Sequence, residues 1–364
     1  MPPLKNIAIL TGGGDCPGLN AVIRAVVHTA CRGYGIAVTG IGDGFAGLVQ
    51  NQVQRLELAD VSGILPRGGT ILGTSNRANP FRFPVVNAAG EKGFDDLSQR
   101  VRQTMAAHKI DALIAVGGDG TQSIAQQLVD RYQLPVVGIP KTIDNDLGGT
   151  DVTFGFDTAL QVATSAVDKL HSTAEAHHRI MVIEVMGRYA GWIALEAGIA
   201  GGGDVILIPE FPFHIDRIAA RIKERERQGK RFSLVVVAEG AKAEGGDVVG
   251  RQVDDASDPL RLGGISQVVG RQIEQLTGSE TRTTILGHVQ RGGSPTPFDR
   301  ILASRLGYHA VVAAVAGKFG QMVGLRGEEI RTVSIRDAIA KPRRVEREND
   351  LVQTALALGT SFGT

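Results

Sequence analysis

Short β-branched and apolar runs alternate along the chain with longer amphipathic stretches, the pattern of a parallel sheet covered by helices. Residues 5–10 read as a buried strand, after which residues 11–14 turn into a helix over 19–31. Residues 36–41 and 111–116 read as further strands, the latter running into Gly117-Gly118-Asp119-Gly120-Thr121 and a helix through about 132. A fourth strand over 135–139 leads to Pro140-Lys141-Thr142-Ile143-Asp144-Asn145-Asp146. A second series begins with a helix over 159–174. It continues with strands over 179–185 and 204–208, and a glycine-flanked helix over 192–199 lies between them. The charged helix 216–228 precedes a strand over 232–238, and residues 240–261, rich in Gly and Asp, read as a surface loop. Residues 283–286 are strand-like and 298–316 helical. No repeat short enough for a solenoid is present.

At roughly 150 residues per domain, a chain of 364 residues predicts about two domains. Lys plus Arg number 39 and Asp plus Glu 38, a net charge of +1 that gives no bulk attraction to nucleic acid or anionic membrane. No apolar run approaches the ~20 residues needed to span a bilayer, and the N-terminal run is too short for a signal peptide core. Cys16 and Cys31 are the only cysteines, which excludes a disulfide framework and most structural zinc sites. The expected location is a reducing cytoplasm. Glycine, at 48 residues, is clustered after strands, where tight turns and close backbone approach to a ligand are expected.

The polar clusters follow strands, and in open α/β sheets ligands bind beyond the carboxyl ends of strands. Gly12-Gly13-Gly14-Asp15 is either a phosphate-approach loop or a plain strand-to-helix turn; it is neither GxGxxG nor a Walker loop. Gly117 to Thr121 reads as a second phosphate cradle, with Asp119 able to hold a Mg²⁺ bound to polyphosphate, against the alternative of a helix cap. Asp144 and Asp146 stand two residues apart; in an extended segment they point to one side. One could take a hydroxyl proton while the other arranges the magnesium shell or the base, against the alternative of a solvated acidic turn. The segments Met186-Gly187-Arg188, Glu280-Thr281-Arg282 and His288-Val289-Gln290-Arg291, with Arg179, supply guanidinium groups suited to phosphate oxygens. Singly each arginine reads as a surface ion-pair partner; together with two glycine cradles and a diacid they read as a phosphoryl-transfer site. Trp192 and the helix around it read as core.

Seven segments in fixed order make the chain resemble the 6-phosphofructokinase family over about residues 5–325. They are GGGDCPGLNAVIR, RGGTILGTSNR, GGDGT, PKTIDND, HHRIMVIEVMGRYAGWIA, ETRTTILGHVQRGGSP and FDRILASRLG. The resemblance implies two Rossmann-like α/β domains with largely parallel sheets covered by helices, and an active site in the cleft between them. It implies a larger donor-binding domain over 1–155 and a smaller sugar-phosphate-binding domain over 156–270. Residues 271–325 would return to the sugar-phosphate site and the larger domain, and 326–364 would form a C-terminal extension.

The implied reaction is Mg²⁺-dependent phosphoryl transfer from ATP to the 1-hydroxyl of fructose 6-phosphate. Gly14, Gly118, Asp119, Gly120 and Thr121 would hold the donor, with Asp119 near Mg²⁺ and Arg77 bridging donor and acceptor phosphates. The GTSNR segment that carries Arg77 is one residue longer than the family's usual spacing. Thr142, Asp144 and Asp146 would surround the transferred group, with Asp144 as base, Thr142, Asp146 and Arg188 completing the catalytic set, and Ile143 among the substrate-binding residues. Met186, Gly187, Arg188 and Glu239 would hold the sugar. Arg179, Arg282, His288 and Arg291 would line the 6-phosphate site, with Val289 and Gln290 among the substrate-binding residues, and Arg179 and Arg282 supplied by a neighbouring subunit of a homodimer or homotetramer.

The donor signature is mixed. Gly120 accompanies ATP use in the family, because an aspartate there would crowd and repel the α-phosphate, whereas Lys141 accompanies pyrophosphate use. The steric veto is the stronger effect, so the expected donor is ATP, with a pyrophosphate-dependent or mixed-donor phosphotransferase as the alternative. An NAD or lipid kinase with the same GGDGT loop would not need the PKTIDND, MGR and HVQRGG segments. A non-catalytic sensor would not need both Asp119 and Asp144. Of the basic residues with which bacterial relatives bind an effector diphosphate, Arg24 matches, whereas His28 stands where arginine is usual.

Overall fold

Strands that read as unbroken apolar runs are buried on both faces, as parallel strands between helical layers must be. The computed structural model describes residues 3–86, 90–252 and 260–364. The chain opens with β1 (Asn6–Thr11), α1 (Leu19–His28) and a π-helical turn (Thr29–Tyr34), then β2 (Ala37–Ile41), α2 (Phe45–Gln50) and β3 (Val53–Leu56). A hairpin follows, β4 (Phe83–Val86) with β5 (Lys92–Asp95), then α3 (Ser98–Ala107), β6 (Ala112–Gly117), α4 (Asp119–Tyr132) and β7 (Val136–Pro140). Next come α5 (Phe156–His177), β8 (Ile180–Val185), α6 (Trp192–Ala200), β9 (Val205–Leu207), α7 (Ile215–Arg227) and β10 (Ser233–Ala238). The short pair β11 (Gly250–Gln252) and β12 (Leu260–Leu262) precedes α8 (Ile265–Thr277), β13 (Thr281–Ile285), a 3₁₀ turn (Gly287–Arg291) and α9 (Pro297–Val315). The chain ends with β14 (Gln321–Arg326), β15 (Glu329–Ser334), α10 (Ile335–Ala340) and α11 (Asp350–Ala357).

Two compact units result. The first comprises Met1–Ile143, Leu147–Asp157 and Arg291–Pro342; the second comprises Asp144–Asp146, Thr158–Gln290 and Arg343–Thr364. The first unit holds a seven-stranded sheet in the order β15-β14-β7-β6-β1-β2-β3. Its five central strands run parallel, while β3 and β15 pair antiparallel at the two edges. Leu10, Leu48, Leu113, Leu128 and Val136 are among the side chains of its core. The second unit holds a four-stranded parallel sheet in the order β13-β8-β10-β9. Its core includes Ile180, Val182, Val235 and Val237 from the strands and Ile265, Val269 and Ile273 from one face of α8.

The architecture is the mixed α/β arrangement read from the sequence. Two local readings change. The helix read over 19–31 ends as an α-helix at His28 and continues in wider turns. Residues 240–261 are not wholly loop, because Gly250–Gln252 pairs antiparallel with Leu260–Leu262; residues 253–259 lie outside the described residues. Within the C-terminal stretch 326–364, β15 and α10 belong to the first unit, whereas Arg343–Thr364 belongs to the second. The segment that returns after α8 is likewise divided, between Gln290 and Arg291.

Candidate active site

In the first unit β7, β6 and β1 are parallel neighbours, so the loops at their carboxyl ends share one sheet edge. Gly12 N–H donates to Val116 O at 2.9 Å, which joins the glycine loop after β1 to the end of β6. Lys141, only 3% exposed, donates from Nζ to the carbonyl oxygen of Gly14. A Cβ on Gly14 would fall 2.0 Å from Arg291 Nη1, so a side chain there would displace that guanidinium from its present position. Arg291 Nη1 also donates to Asp15 O at 3.3 Å, while its Nε is buried with no hydrogen-bond partner among the described residues.

The cradle after β6 opens α4. Gly118 is extended (φ −79°, ψ −164°) and Asp119 begins the helix, its Oδ1 accepting from Gly120 N–H at 2.6 Å. A Cβ on Gly120 would meet nothing within 4 Å. Thr121 is buried beneath the cradle. The sequence reading missed Gln122, whose Nε2 donates to Ala115 O, Gly117 O and Ile139 O at 3.1–3.2 Å. This single amide clasps the ends of β6 and β7. Arg77 lies exposed on the loop after Ser75.

Thr142, Asp144 and Asp146 are partly exposed and alternate with buried Ile143 and Asn145. The extended segment expected between the two acids is broken, however. Asn145 sits at φ +53°, a left-handed conformation that Asn tolerates better than most residues. The backbone therefore bends between Asp144 and Asp146, and the simple argument from strand alternation does not hold there.

In the second unit the loops after β8, β10 and β13 likewise share one edge. Glu239 N–H donates to Val185 O at 2.9 Å and Gly240 N–H to Gly187 O at 3.1 Å, bringing Glu239 beside Met186, Gly187 and Arg188. Gly187 has φ +138°, a conformation reserved for glycine. Gln290, fully buried, accepts from Met186 N–H at 3.2 Å and donates to Gly287 O at 3.0 Å. On the same 3₁₀ turn, His288 and Val289 are exposed. Arg188 lies with its guanidinium carbon 5.3 Å from the Tyr189 ring centroid.

Arg179 and Arg282 fall elsewhere. Arg179 precedes β8, whereas Met186 follows it, and six strand residues at about 3.3 Å each separate the two by roughly 20 Å. Arg282 pairs in register with Met181 near that same distal end. Arg179 Nε contacts Glu280 Oε2 at 2.7 Å, and Arg282 Nη2 contacts the other oxygen of the same carboxylate. The Arg179 hydrogen bond is the largest influence holding the Glu280 carboxyl below its usual range, with both arginine charges adding to it. Within one chain these arginines do not join the loops that carry Met186 and His288.

Other groups without a motif also shape this edge. Glu184, 2% exposed, accepts from the N–H groups of Gly264 and Ser266 and from the Ser266 hydroxyl at 2.7–3.1 Å, fixing the start of α8. Glu210 accepts from Gly191 N–H at 3.1 Å and Val345 N–H at 2.9 Å, and burial raises its pKa. Arg343 N–H donates to Asp146 O at 2.8 Å. Trp192 is 3% exposed, as its core reading expects, yet its indole N–H donates to Arg343 O at 3.2 Å. No helix among the described residues is long and apolar enough to cross a membrane.

Comparison with known proteins gives this geometry a family. The phosphofructokinase family model matches residues 6–314. The chain is 51% identical over 364 residues to ATP-dependent 6-phosphofructokinase 2 of Clostridium perfringens, covering 100% of this chain and 99% of that protein. It is 52% identical over 365 residues to the ATP-dependent 6-phosphofructokinase of Chloroflexus aurantiacus, covering 99% and 98%. A pyrophosphate–fructose 6-phosphate 1-phosphotransferase of Streptomyces coelicolor is 49% identical over 341 residues, covering 93% and 96%. Among solved structures, phosphofructokinase from Saccharomyces cerevisiae superposes with a TM-score of 0.75 at 32% identity, covering 92% of this chain and 45% of the yeast chain. The pyrophosphate-dependent enzyme of Nitrosospira multiformis has a TM-score of 0.81 at 20% identity, covering 97% and 91%, a likeness of fold alone. With the family model spanning most of its length and relatives of about half identity spanning nearly all of it, the chain belongs to the phosphofructokinase family.

Proposed function

We propose that this chain transfers a phosphoryl group from ATP to the 1-hydroxyl of fructose 6-phosphate, giving fructose 1,6-bisphosphate and ADP, a step of glycolysis. The observation that carries the choice of donor is the open space at Gly120, where a Cβ meets nothing within 4 Å. Among the described residues nothing crowds that position, and Lys141 is directed onto the Gly14 carbonyl. The names of the relatives at 51% and 52% identity support the same donor.

Phosphoryl transfer needs positioning and charge neutralisation more than covalent chemistry. Gly14 on the loop after β1, with Gly118, Gly120 and Thr121 at the start of α4, holds the donor phosphates, and Arg77 spans donor and acceptor. Asp144 takes the hydroxyl proton as the new P–O bond forms, with Thr142 and Asp146 beside it. Met186, Gly187, Arg188 and Glu239 hold the sugar; His288 and Arg291 hold the 6-phosphate, and buried Gln290 supports the site by fixing the Met186 N–H. Arg179 and Arg282, one strand length away in the same chain, reach that phosphate from a neighbouring subunit, so the working unit is a homo-oligomer with shared sites. The enzyme works in the cytoplasm, independently of nucleic acid and membrane.

Magnesium fits these residues as an ion that arrives with the donor. Asp119 offers one exposed carboxylate beside the start of α4, and among the described residues no group of three or more His, Cys, Asp or Glu could hold a metal. Mg²⁺ needs no all-protein cage when polyphosphate oxygens supply the remaining ligands, and it would neutralise their charge.

Lys141 and the Streptomyces coelicolor relative favour a second reading, a pyrophosphate-dependent or mixed-donor enzyme. The deciding experiment compares ATP, ADP and pyrophosphate as donors with fructose 6-phosphate and Mg²⁺. ATP should give the highest kcat/KM; a pyrophosphate preference would reverse the assignment of donor.

A further inference from the structure

Residues 343–347 lie beyond the stretch matched by the family model and carry none of the motifs legible in the sequence. Their hydrogen bonds nonetheless converge, within the second unit, on the turn that follows Asp144 and on the loop that follows Arg188. The Arg343 N–H donates to Asp146 O at 2.8 Å, and its guanidinium Nη1 donates to Asn145 O at 3.4 Å. That guanidinium lies 4.0 Å from the Trp192 ring centroid, and the indole N–H donates back to Arg343 O at 3.2 Å. Two residues on, Val345 N–H reaches Glu210, which also accepts from Gly191 N–H, three residues after Arg188.

The point of attachment matters because Asn145 is held at φ +53°. Asn tolerates this conformation better than most residues, but it carries a backbone cost that contacts around the bend must offset. Arg343 bonds two successive carbonyls at this bend, one through its side chain and one through its backbone, and Trp192 supplies a rigid aromatic face that fixes the guanidinium. We propose that Arg343 is a positioning residue: it sets the Asn145–Asp146 bend and thereby aims the Asp144 carboxylate. The proposal rests on the reading of Asp144 as the base. A base acts only within hydrogen-bond reach of its proton, and a misplacement of about 1 Å can cost on the order of 10²-fold in rate.

The test measures kcat, both KM values and the thermal midpoint for Arg343→Ala, Asp144→Asn and the double variant. Arg343→Ala should lower kcat by about tenfold to a hundredfold, with KM for fructose 6-phosphate and ATP within about threefold of wild type. The double variant should be no more than about twofold slower than Asp144→Asn alone, since a misplaced base and an absent base share one defect. Arg343→Met keeps an unbranched stem against Trp192 and carries the same expectations should the alanine variant not fold. An inactive Asp144→Asn beside a folded Arg343 variant of wild-type kcat would overturn the positioning role alone. So would losses that multiply fully in the double variant. An Asp144→Asn enzyme of wild-type turnover would remove the base assignment and the proposal with it.

Discussion

The Nζ of Lys141 donates to the carbonyl oxygen of Gly14, joining the residue after β7 to the glycine loop after β1 across the intervening β6. A lysine that the family resemblance associates with pyrophosphate use thus fastens the glycine loop after β1 here. Lys141→Met should keep the preference for ATP while lowering stability by about 1–3 kcal/mol, the scale of a buried carbonyl left without its partner. Denaturant melts and the donor ratio check the two halves separately. An inverted donor ratio would make Lys141 the determinant.

Gly120→Asp probes the opposite term. The new side chain has open space on the protein, so the fold should be preserved. Its charge would face the donor's α-phosphate, with a like-charge penalty of several kcal/mol in a partly dry site. ATP turnover should fall by more than about 10²-fold, and pyrophosphate turnover should fall less or rise. Kinetics with both donors check this; unchanged ATP use would remove the steric veto.

The central strands were legible because a parallel sheet buries both faces of each strand. β6 and β10 are buried at all six positions, and their apolar runs announce them. The edge strand β3 was not read, because Val53–Leu56 has two exposed residues in four and no continuous run. The signal for α8 is present in Ile265, Val269 and Ile273, spaced four apart, but these apolar positions among polar neighbours behind a polar stretch do not stand out as a run. The glycine loops and the MGR and HVQRGG segments stood out as motifs. Gln122, Glu210 and Arg343 did not, because a glutamine clasp or an arginine strap takes its meaning from carbonyls distant in sequence.

Arg179 and Arg282 offer a test of shared sites. Arg282→Ala should raise KM for fructose 6-phosphate by about tenfold or more with a smaller change in kcat, because the 6-phosphate does not react. If each site draws its arginine from a neighbour, co-refolding Arg282→Ala with Asp144→Asn should restore a fraction of hybrid sites competent in both respects. Activity of the mixture no greater than the sum of its parts would place each site within one chain.

Cysteine chemistry gives a check independent of catalysis. Cys16 is fully buried, and burial is the largest influence pushing its thiol up to about 12, against a smaller opposing pull from Lys141. At pH 8 only about one thiol in ten thousand is then thiolate, the reactive form. Native protein treated with iodoacetamide should label at Cys31 alone, and urea-unfolded protein at both. Rapid native labelling of Cys16 would contradict the packing of the segment after the first glycine loop.

Phosphorus-31 NMR of the purified protein with fructose 6-phosphate, ATP and Mg²⁺ addresses the central claim most directly. The expected result is a second phosphomonoester resonance on the sugar, assigned to carbon 1 by its proton couplings, growing in step with ADP. Consumption of ATP without that resonance, or growth of it only when pyrophosphate replaces ATP, would contradict ATP-dependent transfer to the 1-hydroxyl.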